Sequence, residues 1–219
     1  MCFSAEASFT AGTVLTAVGA VALKQVNVPN RYAFASVPLV FGIQQLAEGM
    51  VWLSFADPAY AGLQKSGMYL FLFVARVVWP ALMPFAVLMM EEQQKKRLPM
   101  KILLAMGLSV SFYYSYCLLF MNVAPNIAGN HVQYISDFPD WLAVPVFFIY
   151  FIASLVPLFI SSVPRMRTFG VLMFIACAIT GIFYIEFLTS VWCFFAAIIS
   201  LVILWIMRGK SSEELTMDN

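Results

Sequence analysis

Seven apolar stretches, each long enough to cross a bilayer, dominate the 219-residue sequence. They run approximately over 7–24, 32–55, 68–90, 100–123, 139–162, 169–187 and 188–207. A hydrocarbon core about 30 Å thick calls for about 20 helical residues at a rise of about 1.5 Å each. Backbone groups in lipid must be satisfied within their own segment, so runs of this kind fold as helices. The sixth run is the shortest and meets the seventh with almost no loop, which predicts a tight turn at Phe187-Leu188-Thr189. Composition agrees: 63% of residues are hydrophobic and 11% charged, against about 45–50% and about 25% in soluble domains. The expected fold class is all-α, a polytopic membrane protein with seven transmembrane helices. One domain over 1–210 is expected, followed by a polar, disordered cytoplasmic tail over 211–219.

Lysine and arginine set the expected orientation. With the N-terminus outside and the C-terminus cytoplasmic, the inner side receives Lys24, Arg31, Lys95, Lys96, Arg97, Lys101, Arg165, Arg167, Arg208 and Lys210. The outer side receives only Lys65, and Arg76 falls within the third run. This asymmetry predicts a multi-pass protein of the plasma membrane. Met1 to Phe9 lacks a basic leader, so the first run is read as a retained helix. Ser4 is a fitting N-cap with Glu6 in the first turn, and Ser8, Gly12, Thr16 and Ala20 form a small-residue stripe suited to close helix packing. Glu91 with Lys95 and Glu92 with Lys96 suggest that the third helix continues for a further turn. Pro99 is expected in the first turn of the fourth. Matching Val-Pro turns at Val28-Pro29 and Val163-Pro164, each followed by a helix with a glutamate and then Trp52 or Trp192, hint at parallel repeats of helices 1–3 and 5–7.

The polar residues inside the runs carry the functional reading. Gln44, Gln45 and Glu48 lie in the second run, where an acid at the helix centre costs about 2.5–3.5 kcal/mol to insert. Gln44 and Glu48 share a face, and Trp52 extends it by a turn. Arg76 lies at matching depth on the next helix, so a Glu48–Arg76 pair is expected, because arginine stays charged almost regardless of environment. Glu186 and Tyr184 end the sixth helix. Tyr113, Tyr114, Ser115 and Tyr116, with Ser190, Trp192 and Cys193, enrich the same outer half in polar groups. The loop from Ala124 to Asp140 holds the only histidine, His131.

Several chemistries are disfavoured. The last helix has no lysine for retinal, and a lone histidine cannot make bis-histidine haem or a histidine-rich zinc site. P-loop, G-x-S-x-G and H-E-x-x-H motifs are absent. No basic run interleaved with aromatics suggests nucleic acid. Cys117, Cys177 and Cys193 read as small core residues, and a thiol or metal site joining Cys2, His131 and a carboxylate is conceivable. The sequence assigns neither a cofactor nor an oligomeric state.

The opening Met1-Cys2-Phe3-Ser4-Ala5-Glu6-Ala7-Ser8-Phe9, with Gln44-Gln45-x-x-Glu48-Gly49-x-x-Trp52 and Trp192-Cys193-Phe194-Phe195, resembles an uncharacterised family of small multi-pass membrane proteins, mainly bacterial. The resemblance implies the membrane fold and brings no activity with it. Besides the lipid bilayer, the expected partner is a small solute or ion, bound, sensed or transported in an outward-facing pocket. Glu48 would be its charged ligand or proton acceptor, with Arg76 as counter-ion and Gln44 and Gln45 as hydrogen-bonding groups. The alternative is a membrane-embedded enzyme acting on a lipid or other amphiphile through Cys2, Glu186 or His131.

Overall fold

The computed structural model describes residues 4–129, 131–183 and 187–206. Among these residues, seven helical spans are long and apolar enough to cross a membrane: Ala5–Lys24, Pro29–Ala56, Leu63–Met90, Gln94–Phe120, Asp140–Ile160, Met166–Phe183 and Thr189–Ile206. The tail 211–219, Cys2, Tyr184, Glu186, Arg208 and Lys210 lie outside the described residues.

α1 (Ala5–Lys24) starts as expected, with the Ser4 hydroxyl accepting from the Ala7 amide at 3.2 Å and Glu6 in the first turn. Its buried stripe is Ser8, Gly12, Leu15, Gly19 and Ala22, whereas Ala20 is exposed. A strict four-residue repeat drifts by about 40° per step at 3.6 residues per turn, so the stripe corrects itself through Leu15 and Gly19. This face packs antiparallel on α3 (Val37–Ala56), which follows the short α2 (Tyr32–Ala35). A Cβ on Gly19 would stand 2.4 Å from the Leu39 nitrogen, and one on Gly42 would stand 2.5 Å from Thr16 Oγ1. The two backbones approach closely because neither glycine carries a side chain.

The third span is not one regular helix. α4 (Leu63–Leu72) passes into a π-helical segment over Phe73–Val78 and then into α5 (Trp79–Met90). Pro84 has no amide to bond the Pro80 carbonyl, and Gly107 of α6 (Gln94–Phe120) sits against it, where a Cβ would be 1.8 Å from that oxygen. α5 stops at Met90, so the expected extra turn does not form. The Glu91 side chain is buried and accepts from the Gln93 amide at 2.9 Å, from the Ser162 amide at 2.8 Å and from the Ser162 hydroxyl. Satisfying these donors outweighs two solvated ion pairs, which are worth little. Pro99 accordingly falls in the second turn of α6, which begins at Gln94.

One departure from an all-helical chain lies between α6 and α7 (Asp140–Ile160). β1 (Val123–Ala128) and β2 (His131–Ser136) form an antiparallel hairpin in which Ala128 faces His131, and Gly129 leaves β1 at a φ of 62°. Asn122 Nδ2 donates to Asp137 at 3.2 Å across the neck. Val132 is fully buried, and Tyr134 stacks on Phe71 with ring centroids 5.1 Å apart. The hairpin thus roofs one end of the bundle.

α8 (Met166–Phe183) and α9 (Leu188–Ile199) complete the bundle. The two Val-Pro turns are built differently. Pro29 heads a 3₁₀ turn over Pro29–Arg31, whereas Arg165 enters α8 in the left-handed region at a φ of 65°. Its guanidinium lies 4.2 Å from the Trp205 ring centroid and donates to the Trp205 carbonyl at 2.8 Å. Lys24, Arg31, Lys95, Lys96, Arg97, Lys101, Arg165 and Arg167 gather at the end opposite the hairpin, by the direction of their helices.

The surroundings of Gly107 and Glu91 set two stability outcomes. Gly107→Ala should lower the melting temperature of the purified protein by several degrees, since relieving the clash with Pro80 costs about 1–3 kcal/mol. Burial pushes the Glu91 carboxyl up, but the Ser162 hydroxyl and amide, the Gln93 amide and Lys96 together hold it below its ordinary value. A lowered folded-state pKa stabilises fully above the unfolded value of about 4.3 and fades as pH falls through the folded one. Glu91→Gln should be less stable at neutral pH by about 1.5–3 kcal/mol, with a thermal stability that responds less to acidification than the wild type's.

Candidate binding site

The π-helical segment decides where Arg76 points. Trp79 bonds its amide to the Val74 carbonyl, five residues back, and Pro80 has no amide to offer. Neither donates to the Ala75 carbonyl, which instead accepts the Tyr150 hydroxyl of α7 at 2.8 Å. The Val77 carbonyl likewise accepts the Ser111 hydroxyl of α6 at 2.6 Å. The wide turn is therefore held from both neighbouring helices, and its exposed carbonyls are satisfied as an apolar environment requires.

Arg76 and Glu48 lie at similar depth, yet they do not pair. The Arg76 guanidinium lies over the rings of Tyr114, at 5.4 Å, and Phe138, at 5.0 Å. Residues around a helix advance by about 100° each, so an extra residue in the turn swings the neighbouring side chains away from their expected headings. Arg76 faces α6 and the root of the hairpin rather than α3. Glu48, fully buried, accepts from the Ser190 hydroxyl at 2.5 Å. Matching depth left the facing direction open.

A cavity of about 240 Å³ opens beside Arg76 under the hairpin. Tyr113, Tyr114, Phe138, Tyr150 and Trp192 supply much of its wall, with Asp140 at the exposed start of α7. The Trp192 indole N–H is buried without a hydrogen-bond partner among the described residues. No ion pair joins Asp140 to Arg76 there. The result is a guanidinium held by aromatic faces, where cation–π attraction is worth about 0.5–2 kcal/mol and leaves its N–H groups available.

The second-run residues form a separate polar cluster. The Trp79 indole donates to Gln44 Oε1 at 2.7 Å while its ring stacks on Phe41 at 4.0 Å. Ser190 and Cys193 are three residues apart on α9, so the residue that holds Glu48 and one that lines the cavity share a face of that helix. Cys193 lines the cavity, whereas Gln44, Gln45, Glu48 and Trp52 do not. Gln45 has both amide atoms buried without a hydrogen-bond partner among the described residues, and so does the indole N–H of Trp52. The expected site is thus split, with Arg76 and Cys193 lining the cavity and Glu48 outside its lining.

Residues 1–217 match the Family of unknown function (DUF6629). The chain belongs to that family. No curated protein and no solved structure matches. For this family member, His131 does not line the cavity. His131 stacks on Phe187 at 4.6 Å, and burial pulls its pKa below the ordinary value. No cluster of three or more His, Cys, Asp or Glu side chains suits a metal among the described residues. Tyr184, Glu186 and Cys2 lie outside those residues.

Tyr150 and Phe138 are among the cavity residues that sequence reasoning passed over. Tyr150 is the one tyrosine in a strongly apolar helix, and that isolation was the available signal. Phe138 sits in a segment read only as loop. Trp79→Phe should leave Gln44 Oε1 without its donor and cost about 1–3 kcal/mol of stability. Thermal unfolding would measure that loss, and a change below about 0.5 kcal/mol would show that Gln44 finds another donor.

Proposed function

We propose that this protein is a multi-pass membrane protein that binds a small anionic solute in the cavity beside Arg76, as the recognition step of sensing or transport. The carrying observation is the Arg76 guanidinium in a cavity wall with no ion pair among the described residues. Guanidinium forks match carboxylate and phosphate, and a site screened from bulk water strengthens that attraction. The unpartnered Trp192 indole N–H supplies a neutral donor on the same wall. Asp140, exposed at the rim, is hydrated and screened, so it discriminates among arriving charges more than it blocks them.

The hairpin end faces outward in this reading and the C-terminus is cytoplasmic, in the plasma membrane. The basic residues clustered at the opposite end support that orientation. The Glu48–Ser190 pair, which shares a face of α9 with the cavity-lining Cys193, is suited to hold or release a proton when the cavity's charge changes. Glu48→Gln keeps an acceptor for Ser190 and so should fold, but should alter the pH dependence of binding.

Thermal stabilisation by benzoate, butanoate or inorganic phosphate tests the reading in detergent-purified protein. A ligand that binds only the folded state stabilises in proportion to RT ln(1 + [L]/Kd). Arg76→Gln should weaken the stabilising anion by about 10- to 100-fold, the worth of a charge-assisted hydrogen bond of about 1.5–3 kcal/mol. Arg76→Lys should recover part of it. Equal stabilisation of wild type and Arg76→Gln would sink the proposal.

A further inference from the structure

The cavity beside Arg76 holds a second fixed charge in its wall, the Asp140 carboxylate. Asp140, Ala143, Phe147 and Tyr150 all line it, and steps of three and four residues put them on one face of α7. Asp140 therefore belongs to the wall, although it stands at the exposed start of its helix. Phe138, two residues earlier, has its ring centroid 5.0 Å from the Arg76 guanidinium. The acid and the base thus line one small cavity, yet no ion pair joins them, and Asp140 makes no hydrogen bond among the described residues. The guanidinium occupies Tyr114 and Phe138, which leaves Tyr113, Phe147, Tyr150 and Trp192 as aromatic wall. The last two meet edge to face with centroids 5.8 Å apart. A water's share of the liquid is about 30 Å³, so a cavity of about 240 Å³ admits a solute of about eight non-hydrogen atoms.

We infer that the anionic group at Arg76 belongs to a small zwitterion, whose ammonium is held by Asp140 and the aromatic wall. This rests on the anion-binding reading above and goes further by naming the substrate class, an ammonium carboxylate. The fixed charges of the wall, Arg76 and Asp140, sum to zero. A simple anion satisfies the first and is repelled by the second. A zwitterion satisfies both and brings no net charge into a region of low dielectric, where an uncompensated charge is costly. Aromatic faces attract an ammonium through the ring quadrupole, and a carboxylate accepts from its N–H groups where it has them. A free α-amino acid and a quaternary betaine share this chemistry and differ in whether the ammonium can donate.

The test follows saturable thermal stabilisation of the detergent-purified full chain by two matched pairs of probes. Valine is paired with isovalerate, the same skeleton without the amine. Glycine betaine is paired with its isostere, in which a quaternary carbon replaces the nitrogen. At least one zwitterion should stabilise at a concentration about fivefold or more below that of its matched anion. Arg76→Gln should weaken zwitterion and anion alike, by about tenfold or more. Asp140→Asn, at an exposed position, should weaken the zwitterion by about fivefold or more, while the matched anion binds as tightly or more tightly. Weakening of one ligand and not of its match cannot come from a general loss of fold. Effects of betaine on the solvent are common to all variants and cancel in the comparison.

If any anion stabilises through Arg76 but neither zwitterion is preferred over its match, the ammonium has no site and only the anion reading survives. The same follows if Asp140→Asn tightens zwitterion and anion alike, because Asp140 then only repels. If no probe gives stabilisation that depends on Arg76, both readings fail. The two pairs separate the sources. An Asp140-dependent preference for valine identifies a free amino acid, and one for betaine identifies a quaternary ammonium; either supports the shared chemistry.

Discussion

Every backbone carbonyl within a bilayer has to find a donor that lipid cannot supply, and the third span meets this demand from its neighbouring helices. Its π-helical turn and Pro80 together deprive Ala75 of a donor from Trp79 or Pro80. Tyr150 and Ser111 then satisfy the Ala75 and Val77 carbonyls from two other helices. These bonds tie α6 and α7 to the break and hold open the direction in which Arg76 points. Gly107 against Pro80 repeats the theme a turn further on, since a carbonyl freed by Pro84 is met by a helix with no side chain at the contact. The irregular backbone occurs where it is enclosed by protein and borders a cavity, as membrane proteins generally require.

The polar groups fall into two neighbouring clusters as a result. Trp79 binds Gln44 and Ser190 binds Glu48 in the interior, and Arg76 stands apart among aromatic rings. Such polar contacts average only about 0.6 kcal/mol in membrane interiors. The face of α9 that Ser190 shares with the cavity-lining Cys193 is the basis for reading the Glu48 cluster as coupled to the cavity's charge. The hairpin belongs to the same design, because Phe138 at its root closes one side of the guanidinium.

Hydropathy and spacing make much of this legible. The seven spans, the Ser4 cap and the polar bias of one half all come from periodicity and from the cost of placing charge in lipid. The breaks are less legible. Glu91 looks like a member of an i,i+4 ion pair, yet its partners are Ser162 and Gln93, the first of them 71 residues away in the chain. The hairpin is hidden by Pro125 in one strand, a residue that demotes a strand reading unless the position is an edge.

The helix count and the depth of each polar side chain can be read from the chain alone, because both depend on how many residues stand between a group and the end of its span. Which of those side chains meet is settled only by the packed bundle. Depth is a one-dimensional quantity read along the chain, whereas facing is an angle, and one extra residue in a turn changes it by about 100°. That angle sends Arg76 to Tyr114 and Phe138, and leaves Glu48 to Ser190.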